Sequence, residues 1–97
     1  MTDARAFLAT RTPAPPPALG RWLAGTDLDG ASPGEGLARE ALAALDRARS
    51  APGRVRESAF HLLGADALLT YACEAALEGD HPDGDLAALM ERAAEHR

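Results

Sequence analysis

The sequence predicts an all-α fold: a small bundle of three main helices, preceded by short helical pieces and a proline-rich arm, and completed by dimerisation. Three observations carry this. The first is composition. The 97 residues are 46% hydrophobic but only 4% aromatic, with one Val and no Ile. Strands favour β-branched and aromatic residues, so a core of Leu and Ala points to helices. The second is a strong helix start at "SPGE", residues 32–35. The third is a long segment, roughly residues 52 to 78, that is helical in composition and apolar almost all the way round.

Each element follows from local chemistry. "TDARAFLATR" is a short helix candidate, with Thr2 as N-cap and Asp3 in the first turn. "TPAPPPAL" ends it, because each Pro removes an amide donor and pushes its predecessor to extended geometry. A stiff polyproline II spacer is expected there. "ALGRWLAG" allows about two further turns ending at Gly25, and it carries Trp22, the single indole. Residues 1–31 therefore form an N-terminal arm, and residues 32–97 the bundle core.

Within that core, Ser32 and Glu35 form a capping box, and Pro33 suits the first helical position. The helix runs to about Ser50. Leu37, Ala41, Ala44, Leu45 and Ala48 share one face, with Leu42 at its border. Arg39, Glu40, Asp46 and Arg47 are expected to face away. "SAPG" breaks this helix, and so short a connection makes an antiparallel hairpin. The long helix follows to about Glu78, with Gly79 as C-cap. After the "DHPDG" turn, a last helix spans roughly residues 85 to 96, with Leu86, Leu89, Met90 and Ala93 at helical spacing.

The long helix raises the main question. One face gathers Val55, Leu62, Leu69, Cys73 and Leu77; the opposite face gathers Phe60, Gly64, Leu68, Tyr71 and Ala75. A helix apolar all round must be buried all round. The rest of the chain is too small to wrap it, so a homodimer is expected, with Ala65, Ala72 and Ala76 as a small-residue strip for close approach. Leu69 and Trp22 complete the expected interface. Folding of the proline arm over the strip is the alternative.

Asp66 lies within the Val55–Leu62–Leu69–Cys73 face. A buried carboxylate must be protonated or paired. Thr70, one turn on, is a candidate donor, and an arginine such as Arg21 or Arg39 a candidate partner. A structural anchor is the favoured reading, and a ligand-contacting acid the alternative. Glu57 and His61, at i and i+4, have the reach to share a metal. The Glu-x-x-His spacing of carboxylate-bridged bundles is absent, so a contact between the two side chains is the simpler expectation. Cys73 has no basic neighbour in sequence to activate it. "DLDGASPGE" and "DHPDGD" resemble calcium loops faintly, but caps and turns account for both.

Charge narrows the function further. The formal net charge is −5, and all ten basic residues are Arg, without a cluster. Phosphate neutralisation needs the opposite balance, so neither nucleic acid nor an anionic membrane is an expected partner. The lack of Lys, Asn and Gln reads as the codon bias of a GC-rich, bacterial genome. A cytoplasmic location is expected, since residues 1–25 lack a basic start followed by an apolar run. No phosphate loop, metal set or catalytic triad order appears, and no cofactor is expected. The expected function is a small acidic interaction protein, namely an adaptor, assembly factor or regulatory subunit, acting on its own copy or on a larger protein. The alternative is a small-molecule-binding or catalytic bundle with a pocket around Asp66, Thr70 and His61, with Glu57 nearby.

Overall fold

A computed structural model describes residues 4–23, 32–50 and 55–95, and among them it places five helices and no strand. They are α1 (Ala4–Ala9), α2 (Pro17–Leu23), α3 (Pro33–Arg49), α4 (Val55–Glu78) and α5 (Pro82–Glu95). The all-α class follows directly. No described helix is long and apolar enough to cross a membrane.

The start of α3 matches its sequence signal. Ser32 is extended, and its Oγ accepts a hydrogen bond from the Glu35 amide at 3.3 Å, with Pro33 at the first helical position. The cap satisfies one of the amides that every helix start leaves unpaired. At the other end, the Ser50 amide donates to the Asp46 carbonyl at 2.9 Å.

α3 and α4 form the principal pair, running antiparallel. A Cβ placed on Gly34, at the start of α3, would lie 3.4 Å from the Ala72 carbonyl oxygen near the end of α4. Leu37 of α3 and Leu68 of α4 are the largest fully buried side chains, with Ala38, Ala41 and Ala72 between them. Small residues at a helix contact let the backbones approach, and the two leucines fill what space remains. α5 packs on α4 and adds Leu89, while α1 packs on α3.

Three sequence expectations change here. First, α4 is not buried all round. Its buried residues are Gly64, Ala65, Leu68, Ala72 and Ala76, on one side of the helix. The small-residue strip is thus occupied within the chain by α3, rather than offered to a second chain. Second, Asp66 is exposed, as is Thr70, and Leu69 is half-buried. Of the apolar face that contains Asp66, Val55 and Leu62 are exposed while Leu69 and Cys73 pack against the core, and the carboxylate keeps its water. Third, Glu40 does not face away. It is buried, and Arg47 Nη1 donates to its Oε1 at 3.1 Å. α1 and α4 both contact α3, which widens its buried face beyond a single stripe.

The arm belongs to the core. Ala4, Phe7 and Leu8 of α1 and Leu19 of α2 join the same cluster as Leu37 and Leu68. Residues 11–16 link the two helices, with a cis peptide at Thr12–Pro13. The side chain of Trp22, and the expected helix end at Gly25, lie outside the described residues. So does the expected start of α4 near Pro52. α5 begins at Pro82, three residues before the expected start, since Pro is compatible with a first helical turn. Leu89 is buried and Leu86 half-buried, whereas Met90 is exposed. Gly79 ends α4 without a left-handed φ, and its amide donates to the Ala76 carbonyl at 3.3 Å.

Candidate functional site

The candidate site builds from the N-terminal half of α4. Successive residues on a helix turn by about 100°, so Val55, Ala59, Leu62, Leu63 and Asp66 fall within roughly a third of its circumference. Gly64, Ala65 and Leu68, which meet α3, lie on the other side. The consequence is measurable in exposure: Val55 82%, Leu63 70%, Leu62 53% and, on the flank, Phe60 47%. Val55, Arg56, Glu57 and Phe60 also line a shallow dent at the start of the helix. Arg56 and Asp66 are both exposed and border this apolar stretch.

His61 sits beside it, half-buried. Its Nε2 is 3.8 Å from Glu57 Oε1, so the i,i+4 contact exists but is too long for a hydrogen bond. The Phe60 and His61 rings meet edge-on at 5.8 Å. The Thr70 hydroxyl donates to the backbone carbonyl of Asp66 at 2.9 Å, not to its carboxylate. Asp66 and Thr70 are thus joined through the backbone rather than through the carboxylate. No group of three or more His, Cys, Asp or Glu among the described residues is placed to hold a metal ion.

A second feature lies at the other end of α4. An open groove of about 990 Å³ runs between α1, the start of α3, the end of α4 and α5. Its floor includes Ala38, Ala72, Ala76 and Leu89, and its rim carries Glu35, Asp80, Asp85, Glu91 and Arg92. None of Glu57, His61, Asp66 or Thr70 touches it. Arg11 and Glu78 bridge one edge, with Arg11 Nη2 donating to Glu78 Oε1 at 2.9 Å and Nη1 to Oε2. The Arg11 guanidinium carbon also lies 4.0 Å from the centre of the Phe7 ring. The hydrogen bond from Arg11 holds the Glu78 carboxyl below its ordinary range, and Glu78 raises the guanidinium in return. This pair clips the end of α1 to the end of α4. It closes the fold and presents no reactive group.

Leu63, Arg11–Glu78 and Glu40–Arg47 are the features that the sequence alone did not expose. For Leu63 a signal existed: Leu62 and Leu63 are adjacent, so the two cannot both point at the one strip that Ala65 and Ala72 define. Arg11–Glu78 spans 67 positions and carries no local signal, whereas Glu40 and Arg47 stand two turns apart on one helix, where only the burial of Glu40 was not legible. No protein-family model matches the chain, and neither a curated protein nor a solved structure matches it.

Proposed function

We propose that this protein is a small acidic helical interaction protein, an adaptor, assembly factor or regulatory subunit, that works by docking the exposed half of α4 against another helical surface. One observation carries the reading. Val55, Leu62 and Leu63 stand 53–82% exposed within nine residues on one side of one helix. Single exposed apolar residues are ordinary, but a contiguous set marks a binding surface. α4 is apolar enough for two packed sides, and its own chain packs one. A three-helix bundle completed by dimerisation is the architecture that goes with this reading.

The test is the native mass of the full chain isolated from its source cells. The expected result is a species heavier than the 10.1 kDa chain. The double variant Leu62→Ser, Leu63→Ser should return it to single-chain mass with the helical circular dichroism unchanged. A wild-type species of single-chain mass would overturn the reading.

A further inference from the structure

Arg56 and Asp66 are exposed opposite charges that flank the exposed apolar stretch, and neither side chain has an ion-pair partner among the described residues. They lie about 15 Å apart along the helix axis. Phe60, Leu62 and Leu63 lie between them. Glu57, the neighbouring acid, is turned toward His61 instead.

Resting on the interaction reading above, we infer that the partner at this face is a second copy of the chain, with the two α4 helices antiparallel about a two-fold axis beside Leu62. A two-fold interface uses one patch twice, so the patch must complement itself. When one α4 is turned end for end about Leu62, its Asp66 arrives near Arg56 of the other chain, and symmetry repeats the pair. Leu62 then meets its own mate, and Ala59 and Leu63, on the same side of the helix, close around it. A parallel pair fails the same test. It buries the same apolar residues but sets Arg56 on Arg56 and Asp66 on Asp66, and like charges disfavour that pairing. Apolar contact supplies the attraction, and the two charges select the direction. The arrangement also gives Asp66 a place: at the rim of the contact, opposite an arginine. The stretch is small beside the ~800 Å² per partner of a standard interface, so the dimer is weak and depends on concentration in the micromolar range.

Sedimentation of the purified full chain over a micromolar dilution series tests this, with Cys73→Ala as background. The wild type should self-associate. Arg56→Glu and Asp66→Arg should each raise Kd about tenfold, since each sets two like-charge pairs across the axis. The double reversal should return to within about twofold of the parent. A second readout is independent of charge. On mild oxidation Leu62→Cys should cross-link to its mate. Val55→Cys should not, because an antiparallel pair holds its mates about 21 Å apart and a disulfide needs less than about 7 Å. Self-association with Kd unmoved by the reversals, or a ready Val55→Cys cross-link, would overturn the antiparallel arrangement and leave the interaction reading standing. A wild-type chain that stays monomeric to several hundred micromolar would overturn the second copy as the partner; the native-mass measurement then decides the interaction reading by itself.

Discussion

Ala72 and Asp66 sit less than two turns apart on one helix, and the same kind of substitution should affect them in opposite ways. Ala72 is fully buried against α3, and Ala38 and Ala41 belong to the same cluster. Ala72→Glu would place an unpaired carboxylate there, and the charged form has no solvent and no partner. The chain should lose most of the ~5–15 kcal/mol that holds a domain folded. Asp66→Leu, on the exposed face, should change stability by no more than about 0.5 kcal/mol. Urea denaturation of the two variants checks both. Glu40 offers a finer case. Arg47→Ala should cost about 1–3 kcal/mol, because it leaves a buried carboxylate without its donor. Glu40→Gln keeps a hydrogen-bonding side chain of the same shape and should cost less. An equal loss in both would mean that the ion pair is not what satisfies Glu40.

At the scale of elements, the attachment of α1 is the feature most open to pH. Glu78 has a folded pKa below its unfolded value, through the hydrogen bond from Arg11. Its contribution is therefore fully present above the unfolded carboxylate value of about 4.3, and is lost as pH falls through the folded one. Stability should fall through that acid window in the wild type, and the part due to this pair should be missing in Glu78→Gln. Equal acid slopes in both would remove the clip from the account. α5 provides a simpler test of helix propensity. Gly84 lies in its first turn, and a Cβ there meets nothing within 4 Å. Gly84→Ala should stabilise the protein by roughly 0.4–1 kcal/mol, by restricting the unfolded chain and favouring helix.

For the whole molecule, shape and surface point the same way. The chain measures 43 × 30 × 21 Å, and α4 alone is about 36 Å long. α3, its main partner, has 17 residues to the 24 of α4, so the longer helix overhangs the shorter by about 10 Å. If a second copy binds the remaining face, it stabilises the folded state by mass action. Tm should rise with protein concentration, and the rise should vanish in the Leu62→Ser, Leu63→Ser variant. A concentration-independent Tm in the wild type would argue against self-association. Removing residues 1–16 should lower Tm strongly, since it takes Ala4, Phe7 and Leu8 from the common core and deletes Arg11. Phe→Ala at a buried site alone costs about 3–5 kcal/mol.

What the sequence determined by itself is local. Composition sets the helical class, Ser32-Pro33-Gly34-Glu35 starts α3, and the short break after Ser50 turns the chain back on itself. These depend on backbone hydrogen bonds and sterics within a few residues, so they are written in order along the chain. Periodicity also marked α4 as having more apolar surface than one contact needs. Which of its sides meets α3 was decided only by tertiary packing. The alanine strip meets α3 because small side chains let the helix approach until Leu37 and Leu68 fill the space. The choice turned Asp66, Leu62 and Leu63 outward together, and made an exposed surface charge of a residue whose neighbours in sequence suggest burial. Arg11 found Glu78 for the same reason: long side chains pair with whatever the packed helices bring within reach, and that proximity does not exist until the helices have packed. Glu40 and Arg47 share α3, so packing decided only that Glu40 is buried.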